Sequence, residues 1–345
     1  MAPPEGWHPK VGDVLEERWE VVKKLGQGAF GAVYEVNDRK GGGAIACKVE
    51  HMEAPIHILK WEVLVMRKLT KAGATHSTRF LDCGRSPDGD YVFLCMTMVG
   101  QNLEKLRENL PESAGGRFSL RTVLHACKET LQGMRELHDS GYLHRDVKPE
   151  NFAIGRPPDS KRVYILDLGM VREWRSAKGT PIRPREVAPF RGNLKYASVN
   201  GQGRCDDLWA WFYKLLDLTS GSLPWPPLEG KDIFEKLKNF AIAKEKLHKN
   251  PTKLIRSAPK EYSEIHDYLM TLRFETDPDY ERIEGILRRV CERKGYTDGG
   301  KLDWEDGGQY FKETKIQYCI HRDTSSLFFQ VLEIQDASER REDAR

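Results

Sequence analysis

Apolar and polar residues alternate across residues 19–36 around a glycine-rich break, which predicts two strands joined by a tight loop. Residues 44–50 form a further short strand behind the turn at Gly41, Gly42 and Gly43. The period then changes. Over residues 56–69, Leu59, Val63 and Met66 recur at helical spacing, predicting an amphipathic helix with those three on its buried face. Residues 91–99 make a dense apolar strand ending at Gly100. Beyond it, residues 120–137 have a helical pattern, and the tryptophan-rich residues 208–218 predict a buried helix. A strand-rich part followed by a larger helical part predicts two lobes joined near residues 97–101. No internal repeat or low-complexity tract interrupts this order. From about residue 295 mixed aromatics give way to a charged run at 338–345, which predicts an extension that is first packed and then frayed.

Composition narrows the class without deciding it. The 345 residues are 39% hydrophobic and 31% charged, as in an ordinary globular chain large enough to bury a substantial core. Lys and Arg number 55 against 52 Asp and Glu, a net charge of +3, so nucleic acid and anionic membranes are not expected partners. The seven cysteines (Cys47, Cys83, Cys95, Cys127, Cys205, Cys291 and Cys319) are scattered and form no Cys-x-x-Cys pair. Reduced thiols fit that spacing better than a zinc site or a disulfide framework. No stretch approaches the ~20 apolar residues of a membrane helix, and the start has no apolar run suited to a signal peptide. The expectation is a soluble intracellular protein, cytoplasmic or nuclear, with a monomer as the default state.

Candidate chemistry sits on the predicted elements. Gly26, Gln27, Gly28, Ala29, Phe30 and Gly31 form Gly-x-Gly-x-x-Gly, with Val33 two residues on. Such glycines let backbone N–H groups approach phosphates. The loop runs into a strand rather than a helix, which argues against a dinucleotide fold, while an ordinary glycine turn stays open. Lys48, beside Ala46 in the next strand, could project to solvent, and Glu62 could be an exposed helix charge. Glu62 falls on the Leu59, Val63 and Met66 face, where an unpaired carboxylate is costly to bury; paired, the two would satisfy each other and hold the lysine against phosphates. The run His144-Arg-Asp-Val-Lys-Pro-Glu-Asn151 combines Asp146, able to accept a hydroxyl proton, with Asn151, able to hold a metal ion, and Lys148, able to stabilise phosphoryl charge. A polar loop with a helix cap is the alternative. Asp167, at the end of the apolar strand 163–166 and before Gly169, offers a hard oxygen ligand suited to Mg²⁺, or else a simple turn.

In this order the pieces resemble the protein kinases over about residues 19–295, and Lys148 resembles the serine/threonine version of the loop. An Ala-Pro-Glu segment is missing. In its place stand Lys195-Tyr-Ala-Ser-Val-Asn200, Asp206-Asp-Leu-Trp209 and Ser222-Leu-Pro-Trp225, which look like the casein kinase I superfamily. The run 183–192 is most similar to its tau-tubulin kinase branch. The resemblance implies an α+β, bilobal eukaryotic protein kinase fold, with a small antiparallel β lobe carrying one main helix and a larger mainly α-helical lobe. The extents it implies are an N-terminal extension over 1–18, a kinase domain over 19–295 with a hinge at 97–100, and a C-terminal extension over 296–345. It implies ATP and Mg²⁺ as cofactors and Ser/Thr of proteins as acceptors. Adenine would lie against Thr97 and Val99, Met96 would guard the back pocket, and Asp207 would brace the catalytic loop. Lys178, Arg183, Arg185, Arg191 and Lys195 could form an anion site favouring acidic or phosphorylated substrates, or simply a solvated basic loop. Ser176 and Thr180 remain possible phosphorylation sites. Leu168 stands where phenylalanine is usual, an apolar exchange expected to preserve activity. The alternative function is a pseudokinase or scaffold with the same fold, although no expected catalytic position is substituted.

Overall fold

The computed structural model describes residues 8–28, 31–54, 56–176, 178–182, 193–198, 203–225, 231–297 and 299–314. Strands β1 (Val14–Leu15), β2 (Trp19–Gly28), β3 (Gly31–Asp38), β4 (Ala44–His51), β5 (Phe80–Arg85) and β6 (Tyr91–Thr97) form one antiparallel sheet, ordered β1-β2-β3-β4-β6-β5. The period-2 pleat gives the sheet two distinct faces. In β4, Ile45, Cys47 and Val49 join a cluster with Trp19, Tyr34 and Phe93. Ala46 belongs to the opposite face, with Leu94 and Met96 of β6. Lys48, directly opposite Leu94, shares that second face. It therefore points at whatever covers the sheet.

Helix α1 (Leu59–Lys71) provides that cover. The helix starts three residues later than the expected 56, and Ile56 is exposed. Its buried stripe is Leu59, Glu62, Val65, Met66 and Leu69, with the expected Val63 only half-buried at the margin. Steps of three and four residues from Leu59 reach 62, 66 and 69, so the true stripe carries Glu62 at its centre. Strand β6 likewise ends at Thr97, two residues short of the expected 99. The chain leaves the sheet there, and the Gly100 amide donates to the Ile154 carbonyl at 2.7 Å.

The second lobe holds α2 (Leu103–Glu108), α3 (Leu120–Asp139), β7 (Tyr142–Leu143), β8 (Phe152–Ile154), β9 (Val163–Ile165), β10 (Arg172–Glu173), α4 (Arg204–Ser220), α5 (Ile233–His248), α6 (Pro251–Ile255), α7 (Tyr262–Thr271) and α8 (Tyr280–Arg293). Helix α4 buries every residue from Ala210 to Leu218, Lys214 and Asp217 included, so it is enclosed on all sides by the lobe. Two antiparallel pairs, β7 with β10 and β8 with β9, lie where the lobes meet. Phe152 opposite Ile165, with the Leu166 amide donating to the Asn151 carbonyl at 2.8 Å, sets the end of one loop beside the start of the next. The 144–151 loop and Asp167 are neighbours for that reason. This is the bilobal α+β architecture the resemblance implied.

After α8 the chain returns to α3. The Asp303 carboxylate accepts from the Ser119 amide at 2.7 Å and its hydroxyl at 2.6 Å, and the Trp304 indole donates to the Ser160 carbonyl at 3.0 Å. The charged run 338–345 lies outside the described residues.

Candidate active site

The glycine loop is closed by register: Gly26 faces Val33, Gln27 faces Ala32, and Gly28 faces Gly31. At Gly31, with φ +149°, a Cβ would lie 1.9 Å from the Val49 carbonyl oxygen, so close packing on β4 itself demands glycine. Gly28 faces open space, which leaves its backbone approachable. Ala29 and Phe30, the tip of the loop, lie outside the described residues.

Under this hairpin the Lys48 ammonium bonds Glu62 at 2.6 Å and reaches Asp167 at 3.4 Å. Burial opposes charge on both partners. For Lys48 the fields of Glu62 and Asp167 overcome it and push its pKa up; for Glu62 burial prevails over Lys48 and pushes its carboxyl up. These directions conflict, because a protonated Glu62 would leave the ammonium poorly matched. The 2.6 Å contact, and the Leu168 backbone amide bonding the same carboxylate, favour the ionised pair. Asp167, in the left-handed region at φ 55°, stands at the cleft mouth. Enclosure there opposes its charge, but Lys48 and Lys148 outweigh that and hold its carboxyl below the usual range. Leu168 is fully buried against the core beneath it.

On the adjoining loop, Asp146 is bound on three sides. The Asn193 amide donates to Oδ1 at 2.9 Å, while Asn151 Nδ2 and Lys148 Nζ each meet Oδ2 at 2.9 Å. Burial disfavours the Lys148 ammonium, yet Asp146 beside it raises its pKa. His144 donates from Nε2 to the Leu166 carbonyl at 3.1 Å and accepts the Asp146 amide on Nδ1 at 3.3 Å, which ties the two loops together. Asp207, in the first turn of α4, accepts the His144 and Arg145 amides at 2.7 and 2.8 Å and His138 Nε2 at 2.9 Å. Two lysine-held carboxylates, Asp146 with Lys148 and Asp167 with Lys48, thus sit on adjoining loops beside the Lys48–Glu62 pair.

A model of the protein kinase domain matches residues 19–283. The chain belongs to the protein kinase family. A probable serine/threonine-protein kinase of Dictyostelium discoideum is 36% identical over 301 residues, covering 86% of this chain and 58% of the relative. The serine/threonine-protein kinase spe-6 of Caenorhabditis elegans is 30% identical over 311 residues, covering 86% of this chain and 79% of the relative. The chain thus spans less than two thirds of the Dictyostelium protein. Both named relatives are of the serine/threonine class, and this kinase domain is of that class.

In this kinase domain three of the expected nucleotide-wall residues, Val33, Ala46 and Met96, share one face. Ala46 pairs with Met96, both nearly buried, and Val33 packs at their edge. Thr97 and Val99 follow, half-buried, where the chain crosses between lobes. Of the expected anion cluster, Lys178 and Lys195 are among the described residues. Lys178 is exposed, but the Lys195 ammonium bonds Asp217 at 3.0 Å, together with Arg107 at 2.6 Å and the Tyr196 hydroxyl at 2.6 Å. Arg183, Arg185 and Arg191 lie outside the described residues.

Other residues at the site escaped sequence reasoning. Asn193 reaches Asp146 through its backbone, so its side-chain type carried no signal. Lys244 of α5, buried among Tyr213, Trp225 and Phe240, donates to the Leu194 and Ala197 carbonyls and so holds the segment that carries Asn193. Glu50 did leave a signal: it is a second ionisable residue on the core-facing parity of β4, two positions after Lys48.

Proposed function

We propose that this chain transfers the γ-phosphoryl group of ATP to serine or threonine hydroxyls of protein substrates. The observation that carries this is that Lys148 and Asn151 each bond the Asp146 carboxylate at 2.9 Å, on the loop beside a second carboxylate, Asp167, that Lys48 holds.

The donor set suits Mg²⁺. Among the described residues no group of three or more His, Cys, Asp or Glu could hold a metal alone. Magnesium ordinarily takes one or two protein oxygens and completes its shell with phosphates and waters. Asp167 supplies one such oxygen. The Asn151 amide nitrogen is committed to the Asp146 carbonyl and carboxylate at 2.8 and 2.9 Å, which leaves the amide oxygen as its ligand end. Bound Mg-ATP would supply the transferable phosphoryl group and neutralise part of its charge.

The chain's own groups do the rest. Asp146, aimed by three donors, orients the incoming hydroxyl and takes its proton, a role worth ~10²–10⁴ in rate. Lys148, already touching Asp146, stabilises charge on the transferring group. Lys48, kept in place by Glu62, grips the α- and β-phosphates beneath the Gly26–Gly28 turn, and the Ala46, Met96, Thr97 and Val99 wall receives the base. The pseudokinase alternative needs a lost role, and each role here has its residue.

Within the family, we place the chain with the casein kinase I superfamily and its tau-tubulin kinase branch. Support comes from the 195–200, 206–209 and 222–225 segments, which stand in place of Ala-Pro-Glu. A preference for acidic or phosphorylated sites rests on the basic residues 178–195, with Lys178 exposed and Lys195 partly engaged by Asp217. We also propose a monomer acting in the cytoplasm or nucleus without nucleic acid. The near-balanced charge supports the absence of nucleic acid, and no helix among the described residues is long and apolar enough to cross a membrane.

Transfer of labelled phosphate from Mg-ATP to acidic, prephosphorylated and plain serine peptides tests both levels. Labelling confined to serine and threonine supports the class. Equal rates on all three peptides would remove the acidic preference.

A further inference from the structure

We infer that Glu50 is a positioning residue that keeps α1, and through it Glu62, docked for nucleotide binding; the inference rests on the kinase reading of Lys48 and Glu62. Helix α1 has no cap of its own, since Ile58 at its N-cap is αR and offers no side-chain bond. Its first amides need an acceptor from elsewhere. Glu50, on β4, provides it. One carboxylate oxygen accepts both the Ile58 and Leu59 amides at 2.9 Å, and the other meets His57 Nδ1 at 3.1 Å. Glu50 is only 1% exposed, so its charge would be costly to bury without those donors. A carboxylate at a helix N-terminus also complements the helix dipole.

The geometry gives this cap a consequence at the cleft. Glu50 and Lys48 are two residues apart and so share one face of the strand. Leu59 and Glu62 are three apart and share one face of the helix. Strand and helix are therefore joined by two rungs, Glu50 to the Ile58 and Leu59 amides and Lys48 to Glu62. The turn between the rungs is closed by the Glu62 amide donating to the Ile58 carbonyl at 3.0 Å, so displacement at one rung is passed to the other. A third tie reaches forward: the Trp61 indole donates to the Val171 carbonyl at 2.8 Å, just beyond Leu168. All three ties are made by unmodified residues. The fold thus docks its own helix, with Glu50 as the strand-borne latch.

A double-mutant cycle on the full chain tests the latch. Initial rates with Mg-ATP and an acidic serine peptide are measured for wild type, Glu50→Ala, Glu62→Gln and the double variant. Glu50→Ala should lower kcat/KM for ATP about tenfold, the scale of a lost helix cap. In the Glu62→Gln background the same change should cost less than about twofold, because the rung it supports is already gone. Glu50→Gln, which keeps a carbonyl acceptor for the two amides, should recover most of the loss, and Glu50→Asp, whose shorter side chain loses reach to those amides, carries the cycle if the alanine variant does not fold. An equal factor in both backgrounds would overturn the inference. Hydrogen exchange supplies a readout free of catalysis: the amides of residues 58–62 should exchange faster in Glu50→Ala while those of α3 stay protected, and unchanged exchange at 58 and 59 would overturn it. A wild type that transfers no phosphate would count against the kinase reading, with exchange still deciding the latch.

Discussion

The Asp207 carboxylate holds the backbone amide of Arg145 at 2.8 Å, and Arg145 is fixed in the left-handed region at φ 67°. Such a conformation costs on the order of 1–3 kcal/mol in a residue with a side chain and persists where its surroundings enforce it. Asp207 does so from the rigid first turn of α4, holding the His144 amide and His138 with the same group. The residue after Arg145 is Asp146, so the strain sits directly against the proposed base.

Asp207→Asn should therefore weaken both fold and turnover. Its amide nitrogen would face a donor whichever way it turned, leaving a buried N–H unpaired at about 1–3 kcal/mol. Chemical denaturation should register that loss, with kcat falling at least tenfold. Acid stability should change as well. Burial pushes the Asp207 carboxyl up, but His138 and the loop amides hold it below the usual range. A carboxylate lowered in the folded state gives stability that is complete above its unfolded pKa of ~3.9 and is lost as pH falls through the folded value. Acid unfolding of Asp207→Asn should thus begin at higher pH than in wild type.

Lys214 makes the opposite kind of prediction. It is fully buried in α4, bonded to the Thr130 hydroxyl at 2.6 Å and lying 3.8 Å from the Phe152 ring centre, and burial lowers its pKa to about 8. Between that value and the unfolded ~10.4, the unfolded chain binds more protons, so stability from this group rises with pH. Lys214→Met should be more stable than wild type at pH 7, by on the order of 1–3 kcal/mol. The gap should shrink toward pH 10. Thermal unfolding of both proteins at pH 7 and 9.5 measures it, and a gap independent of pH would contradict the account.

The returning C-terminal segment should matter to the whole fold. Trp304 is 1% exposed, edge-on to Phe118 at 5.8 Å, and anchored to Ser160. Trp304→Ala should destabilise the chain by about 3–5 kcal/mol, the usual cost of emptying a large aromatic site. A shift in the denaturation midpoint reports it. An unchanged midpoint would mean the segment only rests on α3.

What the sequence made legible was whatever its own local period or a contiguous motif encodes. The β2–β3 hairpin, the Lys48 strand and the apolar α4 follow from alternation and hydrophobic runs, and the 144–151 loop announces itself as a block. On α1, Glu62 is legible on the buried face through its pairing with Lys48, while hydrophobic spacing alone puts Val63 where the helix buries Val65. Charge pairs that belong to no motif were beyond reach. Arg107 meets Asp217 across 110 residues, and Lys195 meets it across 22, so a lysine expected to face substrate is partly committed to a buried aspartate. Backbone donors such as Asn193 and the capped amides of α1 have no side-chain signature to read.

The most direct test of the central claim is phosphate transfer by Asp146→Asn. Asparagine keeps the shape of the side chain that Asn151, Lys148 and the Asn193 amide surround, but it cannot take a hydroxyl proton. With labelled Mg-ATP and a serine peptide, the wild type should label serine and the variant should fall by about 10² or more while its unfolding midpoint stays close to wild type. Equal labelling by the two proteins would contradict the assignment of Asp146.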